Sequence, residues 1–304
     1  MILPSRKQLK GRLHNKTTGL MTFSDYKKKR NVIGYIGFIV ILIMFAILAL
    51  APVIWLLISS FKTVSEINSA NYHLFPKSFN ISQFVDLWQT VGLTDIFINT
   101  IVVVIGAVIC AVIFNAILAY VIAIIQPIGY KVIDKMILLA YMIPSALAIY
   151  PLMLAITNVF PKGSYFPLWL VFGANAYYYM LFKNYFEKFP KSVIEASRID
   201  GLNDLKIFFK VILPLSRPII GVVAIFAMTA AYSDFLLPYM VIGQGSDSKT
   251  WTLMVAIYNL SSDTNIKANQ LLQLLVLSII PQIVIFIIFQ KQITNQAVNS
   301  GMKE

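Results

Sequence analysis

The sequence is poor in the residues that soluble enzymes and disulfide-bonded domains need. Of its 304 residues one is cysteine, two are histidine and 12% are charged, which is about half the charge of an ordinary soluble domain. A single cysteine, Cys110, excludes a disulfide framework and a thiolate metal site. No His-Glu-x-x-His pattern is present, and both histidines lie outside the apolar runs. The sequence therefore lacks the metal ligands and general bases that a hydrolase acting within a membrane would need.

A phosphate-binding loop is missing as well. The pattern Gly-x4-Gly-Lys-Ser/Thr, whose backbone amides and lysine hold nucleotide phosphates, does not occur anywhere in the chain. We therefore expect no ATPase site, no cofactor bound by this chain, no metal and no catalytic residue.

Long apolar runs are what the sequence has instead. Hydrophobic residues make up 58% of the chain, and six runs are long enough to cross a hydrocarbon core, which takes about 20 helical residues. These runs are residues 32–61, 97–125, 132–156, 165–182, 219–242 and 271–289. The sequence thus predicts an all-α membrane protein with six transmembrane helices in a domain of residues 32–290. Ala49-Leu50-Ala51 resembles a signal-peptidase site, but the apolar run continues past Pro52 and favours an uncleaved helix.

The distribution of basic residues predicts the orientation. Placing residues 1–31, 126–131, 183–218 and 291–304 in the cytoplasm, with Lys135 at the edge of the turn, puts 20 of the 25 lysines and arginines there. This asymmetry is the one that the positive-inside rule requires, and it makes both termini cytoplasmic. Residues 1–31 are then a basic cytoplasmic tail and residues 291–304 a C-terminal one. The net charge of +12 is explained by orientation, so no nucleic-acid partner is expected.

The cytoplasmic loop of residues 183–218 is more charged than its surroundings. Its charged side chains from residue 193 onward are Glu195, Arg198, Asp200, Asp204, Lys206, Lys210 and Arg217. Pro190 suits the first turn of a helix, and Gly201 suits its C-terminal end. Asn203 is suited to cap a second helix over residues 204–212, which we expect to stop before Pro214.

The first of these two helices has a small, mostly apolar face. That face consists of Pro190, Val193, Ile194, Ala196 and Ser197. Small side chains allow another backbone to come close, and the carboxylate of Glu195 on the other face is available to an arginine of a partner. We therefore predict docking of a second protein. The alternative is a helix lying among lipid headgroups, for which a face rich in Leu, Phe or Trp would be expected.

The same residues carry a family resemblance. Glu195-Ala196-Ser197, then Gly201, then Val211-Ile212-Leu213-Pro214 resembles the signature E-A-A-x3-G-x9-I-x-L-P of ABC-importer permeases, with Ser197 and Val211 as the departures. The stretch from Tyr232 to Pro238 is similar to W-N-D-F-L-L-P of carbohydrate-uptake permeases. The end, from Phe289 to Gly301, resembles that group's F-x-K-x4-G-x3-G, with Asn295 in place of a glycine.

The resemblance implies a type I ABC-importer permease fold in a bacterial cell membrane. It implies coupling to two cytoplasmic ATPase subunits, which hold ATP and Mg. The residues it assigns to coupling are Glu195, Ala196, Ser197, Asp200, Gly201, Leu213 and Pro214. It further implies a second homologous permease subunit, in a heterodimer, and an extracellular solute-binding protein that contacts residues 243–270. The implied substrate is a sugar or oligosaccharide; a peptide or polyamine is the alternative solute.

Polar residues within the apolar runs are candidates for the translocation path, because burying them in a membrane is costly. The candidates are Asp234, Tyr232, Asn175, Tyr179, Tyr141 and Asn115. A tyrosine or asparagine within a span more often bonds a neighbouring helix than lines a path. A stand-alone, ion-coupled transporter would need several acids within its spans and paired half-repeats. Asp234 is the acid we single out, and no paired half-repeat is visible.

Overall fold

The computed structural model describes residues 29–71, 73–161, 163–243 and 248–301. Within these residues the regular structure is helical and contains no strand, as the predicted all-α class requires. The predicted basic tail lies outside the described residues except for the start of the first helix, and so do residues 302–304 of the predicted C-terminal tail. The chain divides into two units, Met1–Ser59 and Ser60–Glu304.

The first unit contains helix α1, Lys29–Ser59. Its stretch Val32–Ser59 is apolar throughout and long enough to cross a bilayer. None of the side chains in its most apolar window is buried. Helix α1 therefore leaves its apolar surface for lipid or for another chain.

The second unit contains the other helices, which we number in chain order. They are α2 (Val64–Ile67), α3 (Ser82–Val91), α4 (Leu93–Tyr120, continued by a π-helical turn, Val121–Ile125), α5 (Tyr130–Met142), α6 (Ser145–Val159), α7 (Phe166–Gly173), α8 (Ala176–Phe186), α9 (Lys191–Ile199), α10 (Asp204–Ile207, continued by a π-helical turn, Phe208–Ile212, and by Leu213–Leu215), α11 (Arg217–Ser233), α12 (Leu236–Pro238, continued by a π-helical turn, Tyr239–Gly243), α13 (Leu253–Ser261) and α14 (Ala268–Gly301). A short 3₁₀ turn, Ser248–Thr250, precedes α13.

Three helices of the described residues are long and apolar enough to cross a membrane unbroken: Val32–Ser59, Leu93–Ile125 and Ala268–Gln290. Two helix pairs pass the same test only together. Tyr130–Met142 and Leu147–Val159 meet at 110°, and Asp204–Leu215 and Arg217–Ser233 meet at 80°. By length and composition the described chain thus has three candidate spans, or five when each bent pair is counted as one.

Three of the predicted spans are therefore not the unbroken helices that their apolar runs indicated. The run 132–156 bends at Pro144, which precedes α6 with an extended ψ of 124°. The run 165–182 is interrupted after Gly173, where the side chain of Asn175 caps α8. The run 219–242 is interrupted at Asp234, which also has extended backbone. Hydropathy does not register such breaks, because proline and capping residues interrupt a helix without making the run polar.

The largest hydrophobic core surrounds the C-terminal half of α4. Four alanines of this helix have no exposed surface: Ala107, Ala111, Ala116 and Ala119. Small side chains allow close helix packing, and the buried residues of α8, α10 and α11 complete this core. The core includes Phe182 and Phe186 of α8 and Ile207 and Ile212 of the α10 region.

One glycine of α4 permits a close approach. A Cβ atom placed on Gly106 would lie 2.2 Å from the indole ring of Trp169 in α7. Even a methyl group is too large at this position, so Gly106 allows α7 to pack directly on α4.

Candidate functional site

Helix α9 lies between Pro190 and Gly201, the two residues that the sequence predicted at its ends. Pro190 immediately precedes it, with a φ of −62°, and Gly201 follows its end with a φ of +78°, which a residue with a side chain seldom adopts. The side-chain oxygen of Asn203 accepts a hydrogen bond from the backbone N–H of Lys206 at 2.9 Å and so caps α10. The predictions of a helix between Pro190 and Gly201 and of a cap at Asn203 are confirmed.

The predicted small docking face of α9 is only partly accessible, because two of its five residues face this chain's own core. Ile194 and Ser197 are buried against this chain's own core, and the Ser197 hydroxyl donates to the carbonyl of Val193 at 2.7 Å. Glu195 and Ala196 are exposed. The reason is that Ile194 belongs to the same hydrophobic cluster as the phenylalanines of α8, and a helical wheel does not show that neighbour.

The exposed side of the segment carries large apolar side chains among its charges. Ile199, at the end of α9, is 87% exposed, and Leu205, at the start of α10, is 70% exposed. Phe209 is exposed as well. Large apolar groups left in the open on a charged segment are typical of a surface that another protein covers.

The prediction that α10 stops before Pro214 is wrong, because the helix continues to Leu215. The π-helical turn Phe208–Ile212 precedes the proline, and within it the N–H of Leu213 bonds to the carbonyl of Phe208, five residues back. Such a turn is wider than an α-helical one, and it accommodates a residue that lacks an N–H.

The bend between α10 and α11 is tightly bonded. Ser216 has no exposed surface, and its hydroxyl donates to the carbonyl of Ile212 at 2.6 Å. Its backbone N–H bonds to the same carbonyl at 3.0 Å. The 80° angle between the two helices is therefore held by both main-chain and side-chain bonds.

The segment is fastened to α4 at one end of α10. The hydroxyl of Tyr120 donates to the carbonyl of Asp204 at 3.2 Å, and its ring lies 5.2 Å from that of Phe208. Arg198 and Asp204 form an ion pair at 3.1 Å, but both side chains are about half exposed, so the pair contributes little.

A cleft of about 230 Å³ lies beside α9. Charged side chains of both signs line it, among them Glu187, Lys191, Glu195 and Arg198. Its apolar lining includes Phe186, Phe189 and Ile194. The cleft is thus suited to hold polar groups of a neighbouring protein around an apolar base.

A polar connection between α5 and α8 was missed by the sequence analysis. The carboxylate of Asp134 accepts hydrogen bonds from the Tyr179 hydroxyl at 2.8 Å and from the Lys183 amine at 2.6 Å. Both members of the ion pair are 18% exposed. Asp134 lies within the predicted span 132–156, and Lys183 directly follows the next predicted span. An acid inside an apolar run was therefore the signal by which the sequence could have indicated this ion pair.

Most of the predicted path residues make bonds within the protein. Asn115 donates to the carbonyls of Ala111 and Phe172, and Tyr232 donates to the carbonyl of Ser278 at 2.7 Å. Asn175 caps α8 by accepting from the N–H of Tyr178. Tyr179 has no exposed surface at all. These four side chains connect or cap helices, as expected of polar residues that bond a neighbouring helix.

The two remaining candidates are accessible. Tyr141 is 53% exposed at the end of α5. Asp234 is partly exposed at the break after α11, two residues before the start of α12. Asp234 therefore keeps part of its surface open where the helix is interrupted.

Comparisons with known proteins agree with this architecture. Residues 115–296 match the family described as binding-protein-dependent transport system inner membrane component. The diacetylchitobiose uptake system permease protein NgcG of Streptomyces coelicolor is 30% identical over 83% of this chain and 84% of its own length. The polygalacturonan/rhamnogalacturonan transport system permease protein YtcP of Bacillus subtilis is 30% identical over 71% of this chain and 74% of its own length.

A solved structure shows the same fold. The chain superposes with a TM-score of 0.76 on a chain of a bacterial ABC transporter involved in the import of the acidic polysaccharide alginate. The likeness covers 90% of this chain and 99% of that one, at 22% identity, and therefore concerns the fold. The protein is thus a multi-pass protein of the cytoplasmic membrane, and it belongs to the family of binding-protein-dependent transport system inner membrane components.

Proposed function

We propose that the chain is the permease subunit of an ATP-driven, binding-protein-dependent importer of sugars or oligosaccharides, and that it forms half of the translocation path. The names of the two relatives described above support the solute class, because diacetylchitobiose and polygalacturonan or rhamnogalacturonan are saccharides. The other half of the path belongs to a second, homologous permease in a heterodimer. An extracellular binding protein delivers the solute to the outer loops, in particular to residues 243–270.

In this proposal the chain crosses the membrane six times and both termini are cytoplasmic. The passes are α1, α4, the α5–α6 pair, the α7–α8 pair, α11 with α12, and α14. The excess of lysine and arginine on the proposed inner side supports this orientation. The breaks within three passes are acceptable where the broken backbone faces protein or a water-filled cavity.

The exposure of Ile199 and Leu205 carries the coupling part of the proposal. Both side chains flank the turn at Gly201, beside the exposed Glu195, Ala196 and Asp200. Burying one such side chain in a protein cleft contributes about 1.5–3 kcal/mol, and the Glu195 carboxylate adds a charge-assisted bond to an arginine. An ATPase subunit, which also supplies ATP and Mg, is the partner that this surface fits.

The inner residues of the segment transmit the movement. Ser197 fixes α9 on the core side, while Leu213 and Pro214 belong to the last turn before the bend at Ser216. Helix α10 is continuous from Asp204 to Leu215. A displacement of α9 therefore moves the whole of α10 as one rigid body. Nucleotide-driven closure of two ATPase subunits then biases the permease between inward-open and outward-open states.

Uptake measurements test this proposal. In a strain that lacks the chromosomal copy, wild-type protein should restore uptake of at least one labelled oligosaccharide from a panel of chito-, galacturono- and arabino-oligosaccharides. Glu195→Ala should lower that uptake by weakening docking by about 1–3 kcal/mol, with normal amounts of protein in the membrane. Ser192→Ala, an exposed neighbour on the same helix, should leave uptake unchanged.

Two outcomes would contradict the proposal. If the strain takes up a peptide or polyamine and no saccharide, the proposed solute class is wrong and the alternative solute takes its place. Equal uptake by wild type and Glu195→Ala would refute the coupling role.

Crosslinking tests the partner directly, since the chain has one cysteine to remove. In a Cys110→Ala background, Ile199→Cys should crosslink to an ATPase subunit, whereas Ser262→Cys, exposed on the proposed outer side, should not. Solute transport by the purified chain alone, without an ATPase, would overturn the proposal.

A further inference from the structure

Three aromatic side chains meet just beyond the break at Asp234. Phe235 follows the break, Tyr239 begins the π-helical turn after α12, and Tyr258 lies in α13. Their ring centroids are 4.6 Å apart for Phe235 and Tyr258, 4.9 Å for Tyr239 and Tyr258, and 5.4 Å for Phe235 and Tyr239. We call these three residues the aromatic trio.

The aromatic trio is not buried in the core. Tyr258 is 45% exposed, and Phe235 and Tyr239 are partly exposed. Within the described residues, neither tyrosine hydroxyl has a hydrogen-bond partner, in contrast to Tyr120, Tyr179 and Tyr232, whose hydroxyls are all bonded inside the protein. The trio therefore offers ring faces and two polar tips to a molecule outside this chain.

Polar groups directly precede the trio along the chain. Asp234 directly precedes Phe235 and is partly exposed. Beside it, the Gln282 amide of α14 donates to the Ser233 hydroxyl at 2.8 Å. Polar and ionisable groups inside a membrane domain generally face its interior or a water-filled cavity rather than lipid. The break thus combines aromatic faces with carboxylate, hydroxyl and amide groups.

This combination is chemically suited to a sugar ring. A pyranose has an apolar face of C–H groups, which packs on an aromatic ring, and a rim of hydroxyls, which bond to carboxylates, amides and phenols. We propose that the aromatic trio, with Asp234, is a saccharide-binding subsite in the outer half of the translocation path, where the ring of Tyr258 stacks on a sugar unit. The subsite rests on the proposed function, because it requires that the transported solute is a saccharide.

Substitutions at Tyr258 separate the ring from its hydroxyl. In the complemented deletion strain, Tyr258→Leu should lower the initial uptake rate of the oligosaccharide that wild type transports by about five-fold, as expected for the loss of one aromatic stacking contact. Tyr258→Phe keeps the ring and should stay within about two-fold of wild type. Tyr150→Leu, a tyrosine of α6 that is 63% exposed, is the matched control and should have no effect.

A spectroscopic measurement excludes a merely structural effect. Tyr258→Trp in the assembled importer, reconstituted in lipid nanodiscs, should change its tryptophan emission when the transported oligosaccharide is added. Tyr150→Trp should show no such change.

Uptake by the wild type distinguishes a failure of the subsite from a failure of the proposed function. If wild type transports an oligosaccharide while Tyr258→Leu transports it at the same rate, or if Tyr258→Phe is as impaired as Tyr258→Leu, the subsite is refuted and the proposed function stands. If wild type transports no saccharide of the panel, the proposed function fails and the subsite fails with it.

Discussion

The two bent helix pairs differ in how their bends are held. At the bend between α10 and α11, Ser216 has no exposed surface and bonds twice to Ile212, and the helices on both sides contribute Ile207, Ile212 and Val223 to the core. At the bend between α5 and α6, Met142 and Ile143 are largely exposed. Helix α5 has no buried residue, and the carboxylate of Asp134 ties it to α8.

This difference indicates different mechanical roles. A bend that is packed and bonded on all sides preserves its angle, so it transmits a displacement from one helix to the next. A bend with exposed apolar surface obtains its remaining contacts from lipid or a second subunit, and its angle depends on them. The packed pair contains the segment that we assign to coupling, and the open pair has surface left for an interface.

The largest expected effect comes from the same substitution at both bends. Ser216→Leu places a bulky side chain where there is no space and removes the bond to Ile212, so it should destabilise the protein by about 2–4 kcal/mol. Ser145→Leu, at the exposed start of α6, should change stability by less than about 0.5 kcal/mol. Thermal unfolding of the detergent-solubilised protein measures both. Equal melting temperatures for the two variants would remove the distinction between the bends.

An intermediate effect is expected for the ion pair of the open bend. Asp134→Ala leaves Lys183 and the Tyr179 hydroxyl without this acceptor and should cost about 1–2 kcal/mol, since both charges are mostly buried. Hydrogen exchange should become faster in Tyr130–Met142 and stay the same in Arg217–Ser233. Lys135→Ala, on the exposed side of α5, is the control. Unchanged exchange in Asp134→Ala would mean that packing alone holds this helix.

The smallest effect concerns the turn that leads into the packed pair. A Cβ atom at Gly201 would meet nothing within 4 Å, so Gly201→Ala is disfavoured by its positive φ alone, by about 1 kcal/mol. Gly201→Asn should cost less, because asparagine tolerates this conformation better. Urea or thermal denaturation of the three proteins gives the order. An alanine variant as stable as wild type would show that the turn rearranges freely.

The sequence predicted those parts of the segment that depend on neighbouring residues. Pro190, Gly201 and Asn203 act through their own backbone or over one helical turn, so the limits of α9 and the cap of α10 were predicted correctly. The buried face of α9 depends on Phe182 and Phe186 of another helix, and periodicity alone did not select it. The passage of α10 through Pro214 depends on a π-helical turn, for which the sequence offers no comparable signal.

The interactions between distant helices were the least predictable. Asp134 and Lys183 are each an ordinary charged residue at the edge of an apolar run, and only the fold brings them to 2.6 Å. Phe235 and Tyr239 are spaced to lie together on a helical turn, but Tyr258 reaches them because α13 folds back onto the core through Leu253 and Ala256. A single sequence shows which residues are available and does not show these encounters.

The contact between Gly106 and Trp169 has an evolutionary consequence. As long as an indole occupies position 169, selection must retain a hydrogen atom as the side chain of position 106, so the two positions can change only in a fixed order. Replacement of the tryptophan by a smaller residue has to come first, after which alanine or serine at 106 becomes neutral or even fills the vacated space. Homologous permeases should therefore show these two positions varying as a pair.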